Sequence, residues 1–219
     1  MKCTGCGQAI EFFKDEPKLK CRNCGHIVAN PKIDLGCAEW CQYAEQCLAV
    51  SVNNEAKIMR ERLIREMKNV FGNDQKRIDH ALTVLNYAEQ IQAADTGDPL
   101  VVKAAAILHD IGIHEAERKY NSSAGKYQEI EGPPIARKIL AKYDLDETVI
   151  EHVCKIIANH HSAKGIDTLE FRILWEADRL VNIPEELSGA SKEKLKEIID
   201  KTFKTAKGHQ IATELFIEK

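Results

Sequence analysis

The chain has 219 residues, of which 44% are hydrophobic and 30% charged, with a net charge of −3. Such a composition suits one medium globular domain, or one with a small appendage, and it excludes wholesale disorder, collagen, a coiled coil as the whole molecule, and a bulk electrostatic binder of nucleic acid. No run reaches the ~18 apolar residues of a membrane span, and the opening MKCTGCGQAI lacks the apolar core of a secretory signal, so a cytoplasmic protein with no membrane partner is expected.

The first element is cysteine-rich. Seven of the eight cysteines (3, 6, 21, 24, 37, 41 and 47) fall within the first 47 residues. Without a secretory signal, paired spacings read as metal ligands rather than disulfides. Cys3-x-x-Cys6 and Cys21-x-x-Cys24 are each followed by glycine, the pattern of a zinc ribbon. Two intervening residues let one tight turn bring both sulfurs to ~2.3 Å from one tetrahedral ion. The few apolar residues nearby (Ile10, Phe12, Phe13, Leu19) cannot build a core, so the metal must supply folding energy; redox thiols are the alternative. Cys37, Cys41 and Cys47 form a second group. They suit a second zinc with His26 as fourth ligand, an iron–sulfur cluster completed elsewhere, or three small buried residues under Trp40 and Tyr43. Residues 1–32 carry six basic and three acidic side chains, which permits contact of this head with nucleic acid or protein without requiring it. The ribbon-like segment is expected over 1–49 and a second domain over 50–219.

From residue 55 onward the periodicity is helical, and the fold class expected is all-α. Helices are expected over 55–71, stopping at Gly72, and over 74–93. A nearly all-apolar stretch at 99–113 reads as a central buried helix. The 114–132 segment reads as a loop or short helices, and Pro133-Pro134 as the opening of a helix to Tyr143. Asp146 can cap a helix carrying Val149, Val153, Ile156 and Ile157. A helix over 168–183 ends before Pro184. Ser191 can cap a last amphipathic helix that ends at Gly208.

Polar residues in apolar places carry the chemistry. His109 and Asp110 follow a run that is apolar from Leu100 to Leu108 except at Lys103. Asp178 sits in the stripe Phe171, Leu174, Val181. His160 extends the stripe of Val149, Val153 and Ile156, with His161 beside it, and His80 borders Ile78 and Leu82. Singly, a buried His is usually a satisfied core residue and a buried Asp a cap or ion-pair partner. Together, two carboxylates and four imidazoles on inward faces share one explanation, a divalent cation that neutralises the acids and uses neutral imidazole nitrogen.

His80, then His109-Asp110 within LHDIG, then Asp178 within EADRL, resembles the H…HD…D signature of the HD-domain superfamily of helical, metal-dependent phosphohydrolases, over roughly residues 56–185. The resemblance implies an HD-type helical bundle in which His80, His109, Asp110 and Asp178 hold one metal. In dinuclear members three further ligands bind a second ion and the aspartate bridges both. His160 and His161 fit two of those positions. For the third the sequence offers Glu131, before Gly132, where related members often show His. His114 stands where dinuclear relatives commonly carry Lys. It could contact phosphate or protonate a leaving oxygen, or be a surface histidine. Arg179 could clamp phosphate or form a structural ion pair.

The function expected from this resemblance is hydrolysis of a phosphate ester or anhydride, of a nucleotide for preference. It would use one or two divalent ions (Mn, Mg, Fe, Co, Ni or Zn), with Asp110 orienting the water or bridging the ions and His114 as an acid. The absence of a P-loop or G-x-G-x-x-G argues against a nucleotide energy source. Two alternatives differ in class: a di-iron oxygenase of similar ligand set, and a non-catalytic module that senses a nucleotide or binds nucleic acid.

Overall fold

The computed structural model describes residues 2–3, 6–12, 18–25, 27–29, 52–187 and 189–218. Cys37, Cys41, Cys47 and His26 lie outside the described residues. The chain divides into two compact units, Met1–Arg62 and Leu63–Lys219.

The first unit holds two short antiparallel strands, β1 (Lys18–Lys20) and β2 (Ile27–Ala29), with Leu19 opposite Val28. The backbone of each CxxC turns back on itself, Gly7 N–H donating to Cys3 O and Gly25 N–H to Cys21 O. Both glycines take a positive φ (74° and 76°), the left-handed conformation that glycine adopts without penalty. The apolar interior is only Cys3, Ile10, Cys21 and Val28, with Phe12 and Leu19 packed on it. This core is too small to hold a fold unaided.

Nine α-helices follow among the remaining described residues: α1 (Val52–Phe71), α2 (Gln75–Gln92), α3 (Pro99–Leu108), α4 (Ile113–Tyr120), α5 (Gly125–Leu140), α6 (Glu147–Ile157), α7 (Leu169–Glu186), α8 (Lys192–Thr202) and α9 (Ala206–Phe216). The fold is all-α beyond the ribbon-like head. None of these helices is long and apolar enough to cross a membrane. Side-chain caps start many of them, as the sequence suggested: Asp146 accepts from Thr148 N–H and Ser191 from Lys194 N–H. Asp74, Asp98, Thr168 and Thr205 cap α2, α3, α7 and α9 in the same way.

In the second unit α3 is central. Val101, Val102, Ala104, Ala105, Ala106, Ile107 and Leu108 are all buried, and α3 packs on α2, α6 and α7. Small residues on α3 let its neighbours approach closely, and α2 answers with Val84, Leu85, Ala88 and Ile91. The C-terminal part of α1 contributes Leu63, Met67 and Phe71 to this core.

Four sequence expectations need correction. The apolar run at 99–113 is not one helix, because α3 stops at Leu108 and the chain turns through 109–112 before α4. Of the two readings of the 114–132 segment, helices rather than a loop are found. The segment contains α4 and the first half of α5, so Pro133 and Pro134 lie inside α5 rather than opening it. Each proline removes a helical N–H, yet one face of α5 is fixed by its neighbours on both sides. A Cβ on Gly132 would lie 2.7 Å from Ile157 Cγ2, and one on Gly112 would lie 2.4 Å from Gly132 N. Likewise α7 does not end before Pro184 but continues to Glu186.

Finally, the last helix is two helices, and Gly208 lies within α9 instead of ending one. The break has a tertiary cause. Buried Glu176 on α7 accepts hydrogen bonds from Lys204 N–H, Thr205 N–H and the Thr205 hydroxyl. That carboxylate holds the chain extended at Phe203 and starts α9 anew.

Candidate metal centres

The four cysteines of the head converge. Cys3 Sγ lies 3.7 Å from Cys24 Sγ and Cys6 Sγ 3.6 Å from Cys21 Sγ, and all four sulfurs lie within 4.8 Å of one another. A disulfide needs ~2.05 Å, whereas four thiolates around one zinc at ~2.3 Å stand ~3.8 Å apart. Hydrogen bonding from Asn23 and from the backbone at Gln8 pulls the Cys6 thiol down to about 6, toward the thiolate a metal requires. These residues fit a structural tetrahedral ion. Cys6→Ser in the full chain is expected to remove one zinc per molecule and unfold the head, with the helical circular-dichroism signal of the second unit retained. Unchanged zinc stoichiometry by elemental analysis would refute the site.

A second set of ligands forms in the helical unit, where four segments each deliver side chains. His80 comes from the middle of α2 and Asp178 from the middle of α7. His109 and Asp110 follow the C-terminus of α3, and His160 and His161 that of α6. His80 Nε2 stands 3.2 Å from His109 Nε2, 3.1 Å from Asp178 Oδ1 and 3.6 Å from Asp110 Oδ2. His109 Nε2 is 3.4 Å from Asp110 Oδ2 and 3.7 Å from Asp178 Oδ1. On its other side Asp110 presents Oδ1, 3.4 Å from His160 Nε2. The donors thus form two groups, His80–His109–Asp178 and Asp110–His160–His161. Asp110 sits between them with one oxygen toward each.

Tautomers decide what this closeness means. His109 Nδ1 donates to Ala106 O at 2.9 Å and His160 Nδ1 to Ile157 O at 2.7 Å. A carbonyl can only accept, so the Nδ1 atoms carry protons and Nε2 is the nitrogen that each ring turns toward carboxylate oxygen, free to ligate an ion when unprotonated. Lone pairs facing each other at this range repel unless a proton or a metal cation lies between them. Donors of one ion at ~2.0–2.2 Å stand ~3.0–3.6 Å apart, depending on geometry. Among the described residues the buried side-chain atoms with no hydrogen-bond partner are His160 Nε2, Asp178 Oδ1 and Gln128 Oε1. All three belong to this region, and buried orphans of this kind are costly without a ligand. The residues therefore fit divalent ions. With no cation, burial alone would lower the His109 pKa, but Asp110 and then Asp178 beside it lift it to about 9. Burial works to raise Asp110, yet His109 and His160 hold its carboxyl well below the usual range. The negative ends of the α3 and α6 dipoles favour positive charge at the same place.

Neighbours orient these ligands. Asn182, one turn along α7, donates to Asp178 Oδ2 at 2.9 Å. Glu129 of α5 accepts from the His161 and Ser162 backbone N–H groups at 3.0 and 2.8 Å. The groups open onto a cleft of about 280 Å³, whose lining includes Lys76, Arg77, Gln128 and Asn182 beside His80, Asp110, His161 and Asp178. Sequence reading missed Lys76, Arg77 and Asn182. Helical spacing could have found them, since Lys76 and Arg77 lie four and three residues before His80, and Asn182 four after Asp178.

Three expected site residues stand elsewhere. Glu131 joins neither group: its Oε2 accepts from Lys119 Nζ at 2.6 Å and its Oε1 from the Tyr120 hydroxyl at 2.8 Å, so both oxygens are taken by α4. His114 Nε2 pairs with Asp74 Oδ2 at 2.9 Å, tying α4 to the cap of α2, and it does not line the cleft. Arg179 pairs with Glu186 at 2.6 Å and is likewise absent from the lining. Polar partners nearby capture all three.

A helical bundle that aims imidazoles and carboxylates from separate elements into one cleft defines a metal-binding helical domain. Residues 77–183 match the family model of the HD domain. The matched segment contains both ligand groups, and the HD-domain model implies the superfamily of metal-dependent phosphohydrolases. Searches of curated proteins and of solved structures found no match to the chain.

Proposed function

We propose that the protein hydrolyses a phosphate ester or anhydride, with a nucleotide as the preferred substrate class, using two divalent ions. The observation that carries this reading is the placement of Asp110 between two ligand groups, at the floor of a cleft whose rim carries Lys76 and Arg77. Ions held there supply Lewis acidity toward a phosphoryl oxygen and make a coordinated water acidic.

The chain's own residues do the rest. Asp110 divides its two oxygens between the groups and so fixes their spacing. His109 and His160, locked by Ala106 and Ile157, keep Nε2 directed inward, where it would ligate an ion. Asn182 holds Asp178 in one orientation. Lys76 and Arg77 offer cations to the non-reacting oxygens of a phosphoryl group, a charge complement that an uncharged substrate would not need. The expected acid, His114, is engaged with Asp74, so the geometry assigns it no part in protonating the leaving group.

The test is release of inorganic phosphate or nucleoside from a panel of nucleoside mono-, di- and triphosphates and simple phosphomonoesters, with Mn²⁺, Mg²⁺, Co²⁺ or Zn²⁺ added. Turnover that needs the metal and is lost in His109→Ala supports the reading. Oxygen-dependent turnover, or ligand binding without hydrolysis under every metal, overturns it.

A further inference from the structure

One polar atom of the cleft is unexplained by the two groups. Gln128 is only 5% exposed, and its Oε1 has no hydrogen-bond partner. The side chain lines the same cleft as Asp110 and His161. Its orientation is fixed, because Nε2 donates to Ser123 O at 2.6 Å. The opposite flip would set the amide oxygen against that carbonyl, acceptor against acceptor, so the orphan is the oxygen.

The backbone places Gln128 at both ligand segments. Gly125, Gln128 and Gly132 are spaced i, i+3, i+7 on α5 and share one face. At its start a Cβ on Gly125 would lie 2.6 Å from the His161 ring. In the middle, Gln128 O lies 2.9 Å from where a Cβ on Gly112 would stand, two residues after Asp110. At its end Gly132 meets Gly112. The helix could hardly come nearer to the Asp110 turn and to His161, and it brings a buried, unsatisfied acceptor with it. An unpaired amide oxygen in such a place costs free energy unless something positive meets it.

We infer that the Gln128 amide oxygen is the remaining protein donor to the ion of the Asp110–His160–His161 group. This assignment rests on the two-ion reading above. It gives that group one neutral, hard oxygen beside two imidazoles and a carboxylate, which shifts preference from zinc toward Mn²⁺ or Mg²⁺.

The test is a titration of the full-length protein, prepared with one equivalent of zinc for the cysteines of the head and none in the helical unit, with Mn²⁺, read by the loss of the electron paramagnetic resonance signal of free Mn²⁺. The thiolates of the head disfavour this hard ion. Wild type is expected to take up two Mn²⁺ per chain. Gln128→Met, which keeps the side-chain length and removes both polar atoms, should bind the first as before and the second about tenfold or more weakly, the scale on which a lost partner acts on a metal site. Gln128→Glu keeps an oxygen but cannot donate to Ser123, and it should retain both ions. If the Met variant binds both ions with wild-type affinity, or if the Glu variant loses the second ion as well, the oxygen is not a ligand and Gln128 only braces Ser123. If wild type binds a single Mn²⁺, the two-ion reading itself falls, and this assignment with it.

Discussion

Asp110→Ala is expected to abolish turnover and to strip metal from both ligand groups. Among the described residues of the two groups, no other faces both: Oδ2 lies 3.6 and 3.4 Å from the Nε2 atoms of His80 and His109, and Oδ1 lies 3.4 Å from that of His160. Its loss leaves imidazoles to hold divalent charge with a single carboxylate, Asp178, remaining. Metal catalysis contributes several kcal/mol of transition-state stabilisation, so the rate should fall by about 10³-fold or more. Metal content by elemental analysis should drop to that of the cysteine site. The helical circular-dichroism signal should persist, because α3 is anchored by the apolar residues before Asp110. Wild-type-like activity, or retention of both ions, would defeat the assignment.

The largest expected effect on stability lies away from the cleft. Glu176 is buried to 1% exposure on α7, and its carboxylate accepts the backbone N–H groups of Lys204 and Thr205 at 2.6 and 2.9 Å. Glu176→Ala leaves these donors and the Thr205 hydroxyl without their acceptor at the start of α9. Orphaned buried groups cost roughly 1–3 kcal/mol each, and water entering the space recovers part of that. A net loss of about 3 kcal/mol is expected, a fall in Tm of about 6–12 °C for a domain of this size. Glu176→Gln keeps one good acceptor and should lose less. A Tm within about 2 °C of wild type in the alanine variant would show that α9 does not depend on this anchor.

The sequence alone announced the all-α fold class, the approach of four cysteines in the head and the convergence of His80, His109, Asp110 and Asp178. Each is written in local signals. CxxC followed by glycine is a turn whose geometry needs no tertiary partner. The caps Asp146 and Ser191 act within one turn of chain. His80, His109, Asp110 and Asp178 betray themselves because ionisable groups in apolar runs need a reason to be there.

Tertiary structure decided what remained. Whether Glu131, His114 and Arg179 face the cleft depends on which polar partner each meets, and Lys119, Asp74 and Glu186 capture them. The join between α8 and α9 depends on a carboxylate from α7, 28 residues upstream of Lys204. The course of α5 through two prolines depends on Gly112 and Ile157 pressing on Gly132. Local chemistry sets what a side chain can do. Which of its possible partners it meets is settled only when distant segments pack, because the energies that choose among them are of similar size and the nearest partner prevails.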